Sequence, residues 1–191
     1  MLLSNSDYMQ YYTIQVLTEQ EDDFARRLLP TLGPDRLILP KKLLPIRHRG
    51  TTRKEMRPLF PGYIFIQSED ILSELDVFWT IRHTQGFVRF LRESHHPTPL
   101  SEQDLGLIRH FISFGECADI SKVTFDARDR IVVLEGPLKG LEGQIIKVDH
   151  RKGRARVLLD LYNASFPIDL GFEVVERVAS GGDVNHEESR T

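Results

Sequence analysis

Lys41, Lys42, Arg47, Arg49, Arg53, Lys54 and Arg57 put seven basic side chains into a stretch of 17 residues whose one acid is Glu55. The whole chain carries a net charge of -3, so a segment at +6 leaves -9 for the rest. Such a run is either a solvated loop or a focused anion site, because one sign of charge gathered within an acidic protein concentrates its field. A second basic group, Lys139, Lys147, Arg151, Lys152, Arg154 and Arg156, is spread over one glycine-rich loop and one turn. It reads either as ordinary turn solubility or as a face that grips the phosphates of structured RNA, since A-form helices are recognised mostly by shape and backbone. No pair of stacking aromatics accompanies these cations, which favours a duplex or hairpin over a single strand.

Catalytic chemistry finds no constellation. His95 and His96 precede Pro97 without a partner Cys or an HExxH spacing, and the single cysteine, Cys117, has no helix-borne base nearby. No Walker A or GxGxxG pattern occurs, and the glycine-rich loop at 136–143 lacks the Lys-Ser/Thr ending of a phosphate loop. No catalytic residue, metal or cofactor is therefore expected, and the chain reads as a non-enzyme. The apolar runs at 62–66 and 131–134 fall far short of the roughly 18 residues of a membrane helix. The first ten residues have neither a basic n-region nor an apolar h-region, so a cytoplasmic protein without a membrane partner is expected.

The elements that must position these residues follow from periodicity. Tyr12, Ile14 and Val16 share one face at period two, a half-buried strand. Thr18 with Glu21 reads as a capping box, and Phe24, Leu28 and Leu29 then recur at helical spacing until Pro30 and Gly33. A strand, a hairpin around residues 49–53 and a strand at 58–67 come next. Leu72, Leu75, Phe78 and Trp79 mark a second helix, 87–91 a strand, and Ser101 with Asp104 caps a third helix striped by Leu105, Ile108 and Ile112. Beyond a polar linker, five short strands at 130–134, 144–150, 154–161, 165–169 and 172–176, separated by glycine-bearing turns, predict a small closed barrel. The fold class is α+β.

Arg57-Pro58-Leu59-Phe60-Pro61-Gly62-Tyr63-Ile64-Phe65 resembles the FPGY strand of the NusG family, and residues 11–16 resemble its opening strand. Residues 136–143 with Ile145, Ile146, Lys147, Val148 and Asp149 resemble the KOW motif. The resemblance covers 11–178. It implies an N-terminal extension at 1–10, an NGN-type domain with an antiparallel sheet flanked by helices at 11–115, and a linker at 116–124. A five-stranded SH3-like KOW barrel at 125–178 and a disordered tail at 179–191 complete the organisation.

The same resemblance implies a monomeric bacterial transcription elongation and antitermination factor. Its first domain would bind the clamp helices of RNA polymerase through an apolar depression, with Tyr12, Phe60, Pro61, Tyr63 and Phe65 as the docking residues. It places Lys41, Lys42, Arg47, Arg49, Arg53 and Lys54 near DNA in the elongation complex, with Arg82 at the position of a DNA-contacting arginine. Lys139, Lys147, Arg151, Lys152, Arg154 and Arg156 become the contact with nascent structured RNA. The acidic opening of the first helix, Glu19 to Asp23, opposes sequence-specific DNA reading there. Residues 137–143, 151–156 and 169–171 most resemble LoaP-like paralogues. The alternative is a housekeeping role in which the barrel meets a ribosomal protein or Rho, while a ribosome-associated KOW RNA-binding protein leaves the FPGY domain unexplained.

One relative in the family refolds its barrel into a helical hairpin. Here Gly136, Gly140, Gly143, Gly153, Gly171, Pro137 and Pro167 oppose that change, at roughly 1 kcal/mol per interior glycine and 3 per proline. The barrel is expected as the only fold, with the polymerase site open.

Overall fold

The computed structural model describes residues 9–48, 50–92, 95–162 and 164–175. The expected tail at 179–191, most of the N-terminal extension and Arg49 lie outside them. β1 (Gln10–Val16), β2 (Leu37–Ile38), β5 (Tyr63–Ser68) and β6 (Phe87–Phe90) form an antiparallel sheet in the order β2-β5-β1-β6. Its two faces bury different side chains because β5 is apolar at successive positions and alternation sends them to opposite sides. Ile64 and Ile66 join Ile14 and Val16 under α1 (Glu21–Leu32) and α2 (Leu75–His83), where Phe24, Leu28, Phe78 and Ile81 complete the core. Phe65 joins Phe60 on the other face, with Ile108 and Phe111 of α3 (Glu102–Ile112).

The third helix starts as the sequence predicts. Ser101 Oγ accepts from the Asp104 backbone N–H at 3.2 Å and donates to the Asp104 carboxylate at 2.8 Å. The first helix does not: its N-cap is Gln20, no side chain caps it, and Glu21 turns inward instead. Pro30 does not end that helix, because the run continues to Leu32 and closes at Gly33, whose N–H donates to Leu29 O at 2.9 Å. A proline in the last turn, seated on an exposed side, leaves most of the ladder intact.

β3 (Lys41–His48) and β4 (Thr51–Pro58) make the expected hairpin, and β7 (Cys117–Ala118) adds a short parallel strand to it. β8 (Ser121–Phe125), β9 (Ile131–Glu135), β10 (Ile145–Asp149), β11 (Arg154–Leu161) and β12 (Ala164–Val174) form a five-stranded sheet in the order β10-β11-β12-β8-β9. It curls around Val123, Val133, Val157, Leu159, Ile168 and Phe172. The fold class stands as expected, with two corrections of detail. Residues 116–124 are not an irregular linker, since β7 and most of β8 fall within them. The two last predicted strands are one, because Gly171 sits inside β12 rather than in a turn.

The barrel does not hang free. Its Leu138, Leu159 and Leu161 belong to the same buried cluster as Phe60, Phe65 and Phe111 of the first domain.

Candidate functional site

The turn before β5 is built from the far side of the sheet. Gly62 takes φ +83°, a conformation that costs most side chains, and its N–H donates to the Glu21 carboxylate at 2.6 Å. Glu21 is buried on the first turn of α1, so that helix fixes the direction in which Phe60, Pro61 and Tyr63 leave the turn. The acidic run at 19–23, read from sequence as a repulsive surface, thus contains a structural anchor. Asp22, beside it, pairs with Lys41.

The docking residues implied by the sequence separate. Phe60 and Phe65 are 2% and 0% exposed and meet edge-on, with ring centroids 5.7 Å apart. Pro61 is exposed, and Tyr63 is half-buried against the barrel's Phe166 at 5.6 Å. Tyr12 is a correction. It is buried on the opposite face among the helices, because its register partner is Ile66 and both point away from Phe65. Tyr11 and Thr13 hold the places next to Phe65 instead: Tyr11 packs on that face, and Thr13 pairs with Phe65.

Over this face lies the barrel, so the expectation of an open site is also corrected. Tyr162 Oη donates to Thr13 Oγ1 at 3.0 Å, the Tyr162 backbone N–H donates to Asp104 Oδ1 at 3.1 Å, and the Arg92 guanidinium sits 5.1 Å above the Tyr162 ring. His110 of α3 meets Pro137 O at 2.9 Å. Burial pushes the Tyr162 phenol above its ordinary range. These contacts escape sequence reasoning because Asp104 reads as a helix cap and Tyr162 and Phe166 read as turn and strand residues. Local propensity failed here for a physical reason: glycines and prolines decide between helix and barrel, not whether a folded barrel has an apolar neighbour.

On the other side β12 runs against β3. A Cβ placed on Gly171 would lie 2.9 Å from Leu43 O and 3.0 Å from Pro45 Cδ, so only glycine permits this approach. Arg154 donates from Nε and Nη2 to Pro45 O at 3.1 and 2.7 Å.

The cations expected on DNA do not form one surface. Arg47, Arg53 and Lys54 are exposed on the hairpin, whereas Lys41 is tied to Asp22 and Lys42 is buried. Arg82 is carried by α2, with its guanidinium 5.4 Å from the Phe78 ring, 5.6 Å from Trp79 and 5.9 Å from Phe87. In the barrel Lys147, Lys152, Arg154 and Arg156 do gather, around Asp149 and Asp169. Arg156 is committed to Asp169 by a two-bond fork of 2.6 and 3.1 Å, and Lys139 lies apart, with Nζ donating to Val133 O.

Lys42 shows how closely the two parts pack. Burial pushes its pKa down to about 8; Asp169 across the interface holds it up, and Arg154 and Arg156 push it further down. An unfolded lysine titrates near 10.5, so between about pH 8 and 10.5 the unfolded chain binds more protons and stability rises with pH. Below pH 8 burial of the ammonium is a constant cost of about 3 kcal/mol. Urea midpoints measured from pH 7 to 9.5 are therefore expected to climb more steeply for the wild type than for Lys42→Met. Parallel profiles would show that Lys42 is not enclosed.

Residues 9–109, more than half of the chain, match the family described as transcription termination factor NusG. The chain belongs to the NusG family. Residues 128–160 match the KOW motif, which covers β9 to β11 with the intervening loop. Transcription termination/antitermination protein NusG of Thermus thermophilus is 24% identical over 182 residues, covering 87% of this chain and 97% of that protein. The NusG of Deinococcus radiodurans is 26% identical over 188 residues, covering 88% and 99%. Among solved structures, one of domain interaction in Thermotoga maritima NusG covers 85% of this chain and 93% of its own, with 15% identity and a TM-score of 0.47. The NusG match contains the Phe60 to Tyr63 turn and Glu21, while the barrel residues over them, Tyr162 and Phe166, lie beyond both matched segments. Among the described residues no helix is long and apolar enough to cross a membrane.

Proposed function

We propose that the chain is a transcription elongation and antitermination factor of LoaP-like type, which docks on the clamp helices of RNA polymerase through the face of Tyr11, Tyr63 and the Phe60–Phe65 pair. One observation carries the reading: within the NusG-matched segment an aromatic sheet face is covered by a second folded unit through a few rings and polar contacts. A partner offering helices can take the place of that cover. Polymerase docking and barrel docking then exclude each other, so the binding equilibrium includes the free energy of opening. Clamp-bound protein favours the closed, processive polymerase and suppresses pausing and termination. The exposed cations of the hairpin and the barrel contact nucleic acid in that complex, and no step of this activity is catalytic.

The test is binding of the full-length chain to isolated clamp helices. Tyr162→Ala with Phe166→Ala removes the barrel's grip without touching the first domain, and is expected to raise affinity at least tenfold. Tyr63→Ala, which removes a ring of the docking face itself, is expected to lower it. Unchanged binding for the double variant would refute the proposal that the barrel covers the polymerase site. A chain that instead co-purifies from cells with Rho or ribosomes, and leaves termination unsuppressed, would favour the housekeeping reading.

A further inference from the structure

The hairpin and the barrel, distant in sequence, enclose a cleft of about 740 Å³. Arg47 and Lys54 stand on the hairpin wall, Arg151, Lys152 and Arg154 on the barrel wall, and Glu173 is the single acid lining it. Resting on the reading that the barrel covers the first domain in the free chain, we propose that this cleft is, in that packed state and apart from the polymerase complex, one composite site for a short single-stranded segment of RNA. The site exists only while the two domains are packed together.

Size, charge and surface chemistry each point to that ligand. The volume falls within the roughly 300–1,000 Å³ of sites that enclose a small ligand. It admits a few nucleotides of extended strand, whereas duplex RNA is held across its outer grooves and phosphates and needs an open saddle. Cations on two facing walls suit a phosphodiester backbone passing between them. Arg47 and Arg151 have no ion-pair partner among the described residues, so their charge is available to a ligand. Arg154 spends two of its five N–H donors on Pro45 O and keeps the others.

Pro45, Ile120 and Phe172 give the cleft an apolar lining, and His150 lines it as well. The His150 ring lies 4.3 Å from Phe125 and is tilted 32° from it, which leaves a half-exposed heterocycle on which a base can stack. This is the ring that the sequence did not place beside the cations, and it shifts the expectation from duplex to single strand. Glu173 would repel phosphate, but its carboxylate is the acceptor to which a ribose 2′-hydroxyl donates, a contact that DNA lacks. By linkage, RNA spanning both walls favours the packed arrangement of the domains.

The full-length chain and a labelled eight-nucleotide pyrimidine RNA, followed by fluorescence anisotropy, supply the test. Arg47→Glu with Lys54→Glu and, separately, Arg151→Glu with Lys152→Glu are each expected to weaken binding at least tenfold. The stoichiometry should stay one to one, and the salt slope should flatten by about 1 to 1.5 units. Gly171→Ala removes no charge but pushes Leu43 and Pro45 away, and is also expected to weaken binding. Glu173→Ala should bring the affinities for RNA and for DNA of the same sequence together. Loss of binding with the barrel pair alone, while the hairpin pair and Gly171→Ala stay at wild-type affinity, would overturn the composite cleft and leave an RNA-binding barrel. No binding by the wild type would overturn both. Equal binding of DNA by the wild type, or equal competition by a glutamate-rich peptide, would overturn the assignment to RNA.

Discussion

Gly171→Ala is expected to release the barrel from the first domain while leaving each folded. The added methyl meets two atoms that cannot yield separately, a backbone oxygen at 2.9 Å and a proline ring carbon at 3.0 Å, both on β3. The third near atom is Ile120 Cγ1, at 3.3 Å, in the segment before β8 and on a side chain with rotamers to spare. Gly171 does not have a left-handed φ, so alanine adopts the same backbone without strain. Overpacking of this kind costs about 1 to 3 kcal/mol, which shifts an opening equilibrium about 5- to 150-fold. NMR relaxation of the full-length chain is the measurement: the two domains should tumble independently, with barrel shifts away from the contact unchanged. Tumbling as one body would show that the hairpin gives way and that the glycine does not control the approach.

Phe65→Ala is expected to cost about 3 to 5 kcal/mol of folding stability, much of what a domain of ordinary stability possesses. The side chain is fully buried and contacts the Phe60 ring edge-on, and Phe60 in turn meets Phe111 of α3 at 6.3 Å. Removing it leaves a cavity where the sheet, α3 and the barrel converge. Chemical denaturation should show the loss in the midpoint, and a drop below 1 kcal/mol would mean that the core collapses around the gap. A weakened polymerase contact in Phe65→Ala would therefore report folding as much as docking. Tyr63→Ala is the better probe of the proposed surface, since its ring is only half-buried.

Patterns that repeat over a few residues were legible in advance. The alternation of Tyr12, Ile14 and Val16 does define one face of β1, and in β11 the buried Ala155, Val157, Leu159 and Leu161 alternate with Arg154, Arg156 and Asp160 as expected, with Leu158 the one apolar residue between them. The Ser101 cap is local chemistry and was readable as such. The second helix was recognised from its apolar spacing, although it starts at Leu75, three residues after the first apolar position expected in it. What periodicity leaves open is the side to which a face turns. The family resemblance puts Tyr12 in the docking depression, yet pairing with Ile66 turns it towards the helices.

Short windows of sequence suffice for a small α+β domain with an FPGY turn, followed by a β-barrel with a KOW loop. Strand alternation, caps, glycine turns and the motifs that mark the NusG family are all written within short windows. How those units act on one another depends on contacts between distant segments. β8 was hidden because its pairing with β12 is parallel and long-range, at Phe172 with Ser121, which no local pattern announces. Glu21 looked like a cap and became the anchor of a turn 41 residues away. Lys42 looked like part of a solvated run and became a buried ammonium facing Asp169. For Lys42 the deciding term is desolvation by a distant surface, and for β8 and Glu21 it is a hydrogen-bond partner far along the chain; both are set by which elements meet and not by the identities of adjacent residues.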